Sequence, residues 1–323
     1  MKESIKYSIS LALIFGGTIQ LFSQAIPSED ENIPYIITFG KNSSEKYGDD
    51  DFVQTLFFVI PEKTIEPFYI RVYDADVGGL LDEKYGAYST KSKFSFYGGK
   101  GAFSTKDAKE ESPRGNYKSG VLLSSKIFGE DIEADSKWYE FGPFNPKEGE
   151  LQTEVGGYVF KMIVEGLEGD DGNLYKVFLS SNKNENVKVE GANSFCYEYT
   201  FRLDENPKAI AHIYPYVPTG VVTCEINIFD FDNAGVIRVV SVAKKGEVYV
   251  SQTEGVWSVE KFQVSKEEIN TSLDIQFINN KVVKNNNVAV YIKNQYGELM
   301  PFYTSPIGGV PKFKYKIGVK PSK

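Results

Sequence analysis

Histidine and cysteine are nearly absent from this chain of 323 residues, in which His212 is the single histidine and Cys196 and Cys224 are the two cysteines. Zinc ribbons, iron-sulfur clusters and Ser-His-Asp or Cys-His catalytic centres depend on these residue types. Their scarcity argues against most classical hydrolase chemistry, so we expect a protein that is not an enzyme. Because His212 alternates with apolar neighbours, we expect it to be structural.

The chain also has fewer basic than acidic residues and few long apolar runs. Lys and Arg number 36 against 44 Asp and Glu, which gives a formal net charge of -8. A surface of that sign repels a phosphate backbone, so nucleic acid is not an expected partner, whereas cations are attracted. No stretch beyond the N-terminus approaches the roughly 18 apolar residues of a membrane-spanning helix.

The N-terminal 25 residues have the pattern of a secretory signal peptide. Lys2 and Lys6 precede the apolar run at 11–15, and the small residues Ser23 and Ala25 suit cleavage after Ala25. We therefore expect residues 1–25 to be removed and the mature protein to be exported to the periplasm or the extracellular space.

The rest of the chain has the pattern of an all-β protein. Short apolar and aromatic runs alternate with Gly, Asn, Asp and Pro, and no sustained helical period is present. The strongest strand candidates are 51–60, 68–73, 93–97, 137–141, 158–164, 174–179, 194–203, 221–229, 236–243, 288–293 and 313–319. The polar stretch 104–120 is expected to be an exposed loop without a function of its own.

An internal repeat indicates how the strands are organised. Residues 48–52 are echoed by 169–173, and residues 70–79 are echoed by 226–235. We expect two related β-sandwich domains in tandem, at 26–165 and 166–323, with extra residues inserted in the second. Coincidence between short strand-turn motifs is the alternative.

Carboxylates are concentrated around the first copy of the repeat. Asp74 and Asp76 follow the strand candidate 68–73, and paired glycines allow Asp82 to return toward them. A hairpin between 51–60 and 68–73 would bring in a second acidic segment, made of Asp49, Asp50 and Asp51. Converging carboxylates repel one another unless a cation binds them, and Ca²⁺ prefers six to eight oxygen ligands. The sequence predicts a calcium site here, against the alternative of a solvated Asp/Gly loop.

The spacing of these acids differs from that of one known calcium motif and is similar to that of another. Tyr85 stands where an EF-hand loop that starts at Asp74 requires glutamate, so the loop is not an EF-hand. The run from Asp74 through Asp76 and Asp82 to Gly86 resembles the third calcium loop of the phospholipid-binding β-sandwich domains of protein kinase C and synaptotagmin. The resemblance is confined to this loop, so it implies calcium ligands and no lipid binding.

A second metal site is less well supported by the sequence. Its candidate ligands in the second copy are Asp230, Asp232, Asn233, Asp170 and Asp171. Arg238 occupies the counterpart of Asp82, and its positive charge opposes a metal ion. The alternative to a second metal site is a vestigial loop in the second copy that is structural and binds no metal.

Several other motifs resemble secreted envelope proteins of Gram-negative bacteria. They are the segment 138–144, the GDDGN run at 169–173, the VYDADVGG loop and the closing residues 306–311. Together they look like the amino-terminal β-sandwich region of OmpA-like family members. The resemblance implies a structural or adhesive role in the cell envelope, with another envelope protein or a glycan as partner. The sequence carries no OmpA-like domain, so peptidoglycan anchoring is not expected.

The cysteines and the exposed aromatics each have two expected roles. An exported chain favours a disulfide between Cys196 and Cys224, although strand alternation can place the two thiols on different sides, unpaired. Exposed aromatics, of which Tyr214, Tyr216 and Trp257 are the first candidates, would make a carbohydrate-binding protein the alternative function. A glycosidase with a carboxylate pair is the least favoured alternative.

Overall fold

The computed structural model describes residues 24–231, 235–250, 255–308 and 310. Strands dominate this part of the chain, and its helices are short 3-10 turns at Glu45–Tyr47, Lys106–Lys109, Pro146–Glu148, Thr153–Val155 and Lys266–Glu268. The predicted all-β fold is confirmed. In the same residues, no helix has the length and apolar character needed to span a membrane.

The strands pair antiparallel throughout, as expected for a fold built from hairpins and Greek keys. In chain order they are β1 (Ala25–Ile26), β2 (Tyr35–Phe39), β3 (Val53–Pro61), β4 (Phe68–Tyr73), β5 (Lys91–Gly98), β6 (Val121–Phe128), β7 (Trp138–Phe144), β8 (Glu150–Gln152), β9 (Gly157–Glu168), β10 (Gly172–Ser180), β11 (Asn193–Cys196), β12 (Glu198–Arg202), β13 (Ile210–Val217), β14 (Thr223–Phe229), β15 (Gly235–Val240), β16 (Glu247–Val250), β17 (Trp257–Gln263), β18 (Thr271–Ser272), β19 (Asp274–Asn279), β20 (Asn287–Asn294) and β21 (Phe302–Tyr303).

The strands form two extended sheets. One runs in the order β17-β14-β20-β12-β2-β10-β4-β7, with β1 added on β10. The other runs β16-β15-β19-β13-β21-β11-β3-β9-β5-β6, with β18 on β13 and β8 on β9. Aromatic and β-branched side chains fill the faces between them, because such residues pack well on a pleated surface.

The same strand order occurs twice along the chain. Strands β2 to β10, here called the first half, give the orders β2-β10-β4-β7 and β3-β9-β5-β6. Strands β12 to β20, the second half, repeat them as β12-β20-β14-β17 and β13-β19-β15-β16. Each half thus has the connectivity of an eight-stranded jelly roll, with β8 and β18 as short additions.

This topology distinguishes the two sequence echoes. Residues 70–79 and 226–235 both leave equivalent strands, β4 and β14, and their first loop residues Asp74 and Asp230 share positive φ values of 59° and 62°. Residues 48–52 lead into β3, whereas 169–173 join β9 to β10, so these segments occupy different positions in the jelly roll. The eight-strand pattern of the first half therefore ends with β10, at Ser180, which lies beyond the domain boundary expected between residues 165 and 166.

The two halves are continuous with each other. Strand β2 pairs with β12, while β11 and β21 lie between β3 and β13 in the other sheet. One cluster of buried apolar side chains includes residues of both halves, from Ile36 and Phe58 to Ile228 and Phe277. Burial of this shared core is the main source of stability, since each fully buried side chain of this size contributes about 1.5–3 kcal/mol.

Several predicted strands agree with strands of the structure in their bounds, and one predicted strand is divided in two. The segment 68–73 is reproduced as β4, and 51–60 begins two residues late as β3. The single candidate 194–203 is two strands, because the chain leaves one sheet after Cys196 and enters the other at Glu198. The stretch 104–120 lacks strands as expected, and candidate 313–319 lies outside the described residues.

The first described residue, Gln24, belongs to the folded body. Its side chain is buried, Nε2 donates to Ala192 O at 3.2 Å, and Oε1 accepts from Val189 N at 2.7 Å. Ala25 and Ile26 pair with β10. A cut after Ala25 would remove the contacts of Gln24 and Ala25 and leave the pairing of Ile26 with β10. The rest of the predicted signal peptide, residues 1–23, lies outside the described part of the chain.

The predicted disulfide is wrong. Cys196 and Cys224 are both free and buried. Cys196 lies in β11 and Cys224 in β14, which belong to different sheets. The Cys224 thiol instead contacts Met300 Sδ at 3.6 Å. Both thiols lie in the shared core cluster, so their positions in different sheets, and not strand alternation, explain why they are unbonded.

Gln54 joins the halves through its buried amide. Its Nε2 donates to Glu198 O at 2.9 Å, and its Oε1 accepts from Thr200 N at 2.9 Å. The side chain therefore replaces a backbone partner between β3 and β12. Because Gln54 is 1% exposed, water cannot satisfy these groups when the amide is removed.

We predict that Gln54→Leu destabilises the protein by about 2–3 kcal/mol, since it leaves two buried backbone groups unpaired. Urea unfolding measures the loss. The control is Gln152→Leu in β8, where the native side chain makes no hydrogen bond within the described residues. Equal stability of the two variants would contradict the bridging role of Gln54.

Candidate metal centre

Asp74 begins the loop that follows β4. Its backbone takes a φ of 59°, which aspartate tolerates better than most residues. Its N–H donates to Lys137 O at 2.9 Å, and its Oδ1 accepts from Ser136 N at 2.6 Å. The loop is therefore fastened to the connection between β6 and β7, residues 129–137.

Asp76 makes the next contact with that connection. Its Oδ2 accepts from Asp131 N at 3.2 Å, and the following Val77 N donates to Gly129 O at 2.9 Å. These bonds place Asp135 beside the loop. Ligand atoms of Asp74, Asp76 and Asp135 all lie within 4.8 Å of one another.

Gly79 lets the carboxylate of Asp135 approach. A Cβ at position 79 would lie 2.5 Å from Asp135 Oδ1, and the backbone φ is +68°. Any other residue would therefore meet both a steric clash and backbone strain. The sequence pattern Gly78-Gly79 thus has a physical role in closing the cluster of acids.

Two oxygens of this cluster have no hydrogen-bond partner. Asp74 is 0% and Asp76 1% exposed, and Asp74 Oδ2 and Asp76 Oδ1 are buried and unpaired. Asn173 lies next to them, because its Nδ2 donates to Ala75 O at 3.2 Å while its Oδ1 is also unpaired. Burial of unpaired carboxylate oxygens is costly unless a cation or a proton is bound.

The electrostatics of the loop agree with this geometry. Burial raises the pKa of Asp74 to about 6, the N–H of Ser136 lowers it, and the charge of Asp135 raises it further. Burial likewise raises the pKa of Asp76 to about 6, aided by the charges of Asp74 and Asp135. Three carboxylates and an amide oxygen are ligands of the hard type that Ca²⁺ prefers. The residues present therefore fit a calcium ion.

Asp82 lies beside the cluster in a different role. Its Oδ2 accepts from Gly78 N at 2.7 Å, and its Oδ1 accepts from Leu174 N at 2.6 Å. Both oxygens are thus engaged by backbone donors. Asp82 holds the loop against β10, and the structure does not bring it into the group of three.

The segment Asp49 to Asp51 forms a separate acidic group. Asp49 accepts from the N–H groups of Phe39, Asp51 and Phe52, so it organises the turn before β3. Burial raises the pKa of Asp49 to about 6. The structure does not merge this group with Asp74 and Asp76.

The second half repeats part of the loop. Asp230 Oδ1 accepts from Gly255 N, two residues before Trp257, as Asp74 Oδ1 accepts from Ser136 N, two residues before Trp138. Asp232 and Asn233 lie outside the described residues. Arg238 donates through Nε to Gln276 Oε1 at 2.7 Å in the sheet.

The other two candidate ligands of the second site belong to the first half. Asp171, between β9 and β10, accepts from the N–H groups of Ser89, Thr90 and Tyr85. It is 0% exposed and serves as an internal cap for the 85–90 segment. Asp170 faces Ser89 Oγ at 3.5 Å.

Asp135 is not among the ligands that the sequence predicts. This residue is far from Asp76 in the chain, and only the pairing of β4 with β7 brings the two together. The available signal was the acidic run Glu130, Asp131, Glu133 and Asp135 immediately before a strand that begins with Trp138.

The aromatic candidates and the histidine have structural partners. Tyr214 is buried, and its hydroxyl donates to Asp30 O at 2.7 Å. Tyr216 OH contacts Asn270 Oδ1 at 3.3 Å. Trp257 Nε1 donates to Asp50 Oδ2 at 2.9 Å, and His212 Nδ1 lies 2.8 Å from Asp274 Oδ1. These partners orient the rings within the fold.

No protein-family model matches the chain, and no curated protein matches it. The site must therefore be interpreted from its own geometry.

The raised pKa values of the aspartates predict a specific pH dependence. Asp49, Asp74 and Asp76 have pKa values of about 6 in the fold, against about 3.9 in an unfolded chain. Between these values the folded protein binds more protons, so in EDTA these groups lower the free energy of unfolding as the pH rises from about 4 to about 6. Asp74→Asn should flatten this decline in urea titrations, and an unchanged slope would contradict the assignment.

Proposed function

We propose that this chain is an exported, non-enzymatic binding protein of the cell envelope, whose first half is stabilised by Ca²⁺ at Asp74, Asp76 and Asp135. The observation that carries the calcium assignment is the pair of buried, unpaired oxygens on Asp74 and Asp76 beside a third carboxylate. In this proposal the ion links the loop after β4 to the connection before β7. It acts as a structural clamp between two strand ends.

The envelope location is supported by the sequence. The N-terminal pattern is that of a secretory signal peptide, and the loop and strand motifs resemble the β-sandwich region of OmpA-like envelope proteins. Ca²⁺ sites with dissociation constants of about 10⁻⁴–10⁻³ M suit extracellular modules, where calcium is abundant. The proposed partner is another envelope protein or a glycan.

Calcium should stabilise the protein by mass action. At a concentration about a hundredfold above the dissociation constant, Ca²⁺ adds about 2.7 kcal/mol to the free energy of unfolding. We expect Tm to rise by about 5 °C or more on calcium addition after EDTA treatment. Asp76→Asn should abolish this rise.

The matched control for this prediction is Glu133→Gln. Glu133 lies in the same connection as Asp135 and its side chain is 88% exposed, so the variant removes the same charge without touching the cluster. It should retain the full calcium response. A Tm that ignores calcium, or a response that survives in Asp76→Asn, would contradict the site.

Carbohydrate binding is the second candidate function. Two surface depressions, of about 410 and about 630 Å³, share Gly297 and lie at the end of β20 and beside the segment that follows it. Their lining combines charged and amide groups with Tyr197 and Tyr296, and Tyr296 is 75% exposed. Polar groups beside an exposed ring suit the edge and the face of a sugar.

Truncation of the exposed ring tests this candidate. If an oligosaccharide stacks on it, Tyr296→Ala should weaken binding about fivefold, which corresponds to about 1 kcal/mol. Affinity electrophoresis against a panel of soluble polysaccharides provides the measurement. Tyr69→Ala, in β4 of the first half, is the control and should bind like the parent. Binding that is absent from the whole panel, or equal in both variants, would exclude stacking on Tyr296.

A further inference from the structure

The loop 99–120, which joins β5 to β6, is fastened to the first half near both of its ends. Near its start, Glu150 Oε2 accepts a hydrogen bond from Phe103 N at 2.7 Å. Near its end, the buried Lys161 donates through Nζ to Ser119 O at 2.8 Å. The sequence predicts most of this loop to be exposed and without a function of its own, yet its position on the fold is set by buried charged groups.

The middle of the same loop reaches the second half. Glu111 Oε1 lies 2.7 Å from Lys293 Nζ in β20, and both side chains are less than a third exposed. The loop and residues 296–299 line the larger of the two surface depressions, and Lys293 lines the smaller. The two depressions together are called the cleft below. Its walls therefore come from both halves, and an ion pair links them.

One lysine of the cleft differs from the others in having no acidic partner. The lining includes four lysines and three glutamates. Three of these lysines lie within 3.9 Å of a carboxylate oxygen: Lys106 of Glu110, Lys261 of Glu225 and Lys293 of Glu111. Among the described residues, no carboxylate oxygen lies within 4.0 Å of the Nζ of the fourth, Lys109. The cleft thus presents one ammonium group whose charge is not paired.

Lys109 is also partly withdrawn from water. Its Nζ sits 4.2 Å from the centre of the Phe103 ring. Burial lowers the pKa of Lys109, while the charges of Glu154 and Glu150 raise it. A partly buried ammonium group without a carboxylate gains free energy when an anion binds, because charge-assisted hydrogen bonds replace those lost with water.

Two tyrosines line the same depression as Lys109. The Tyr296 side chain is 75% exposed. The Tyr197 ring is held edge-on against Phe57 and Phe195, with ring centres 5.8 Å apart in both pairs. An exposed ring offers a flat apolar surface, and the hydroxyl group of a fixed tyrosine can both donate and accept a hydrogen bond.

We propose that the cleft binds an acidic saccharide, whose carboxylate accepts hydrogen bonds from Lys109 Nζ and whose ring stacks on Tyr296. The carboxylates of Glu110 and Glu298, in the same lining, can accept hydrogen bonds from the hydroxyl groups of the sugar. The inference rests on carbohydrate binding, the second candidate function, and adds the chemical class of the sugar. It shares no residue with the calcium site at Asp74, Asp76 and Asp135.

An acidic peptide would meet the same ammonium group, but two observations favour the saccharide. The exposed Tyr296 ring suits the apolar face of a sugar. The chain carries a formal net charge of -8, which repels a run of acidic side chains more strongly than a saccharide with one carboxylate among several rings.

Binding of acidic oligosaccharides, each compared with its methyl ester, tests the charge requirement. The probes are oligosaccharides that contain galacturonate, glucuronate, guluronate or sialic acid, and calorimetry with the full chain measures their affinity. We expect at least one acidic probe to bind, and its methyl ester to bind about tenfold or more weakly, because esterification removes a hydrogen bond between charged groups. Added salt should weaken the binding of the acid more than that of the ester.

Variants of the cleft assign this preference to Lys109. Lys109→Met keeps an apolar side chain on Phe103 and removes the charge, so it should bind the acidic probe about tenfold more weakly and the ester like the parent. Lys109→Arg should retain the preference for the acid, which guards against a folding defect in Lys109→Met. Tyr296→Ala should weaken the binding of acid and ester alike. The control is Lys63→Met, in the turn after β3, where the native side chain is 75% exposed and lies outside the cleft.

Each other outcome counts against the proposal. Equal affinity for acid and ester, or unchanged binding of the acid by Lys109→Met, would overturn it. Tighter binding of an oligoglutamate peptide than of every saccharide would assign the cleft to a peptide instead. Binding of neutral sugars that depends on Tyr296 and not on Lys109 would leave carbohydrate binding in place and remove only the acidic class. If no saccharide binds, both carbohydrate binding and this inference fail, whereas the calcium response is unaffected.

Discussion

Burial of carboxylates without matching basic side chains is the constraint on which the rest of this structure depends. Several buried acids of the fold, including Asp49, Asp82 and Asp171, accept hydrogen bonds from backbone N–H groups at strand ends. Such acids organise the loops at low cost. Asp74 and Asp76 have more oxygens than donors, and this excess separates a structural cap from a candidate ligand site.

Much of the fold could be predicted from the sequence, because strand patterning is local. The alternation at 68–73 gave β4, and the echo between 70–79 and 226–235 identified equivalent loops, since identical strand ends impose the same left-handed aspartate. The other echo, between 48–52 and 169–173, arose because Asp/Gly turns recur wherever a strand begins. Composition alone could not separate these cases, whereas strand pairing does.

Two of the three carboxylates of the candidate site, those of Asp74 and Asp76, could be predicted from the sequence. Asp74 and Asp76 lie two residues apart after a clear strand, so their shared direction was predictable. Asp135 was not, because its position depends on the pairing of β4 with β7 across a long separation in sequence. The disulfide failed for the same reason, as sheet membership is set by long-range pairing.

Continuity of the sheets has a mechanical consequence. Tandem domains usually meet through a linker, about which one can turn relative to the other. Here β2 pairs with β12 and β3 reaches β13 through β11 and β21, so both sheets cross from one half into the other. Rotation of one half would have to break hydrogen-bonded ladders in two layers at once. Within the described residues, the two halves therefore share both sheets at their junction instead of meeting at a hinge.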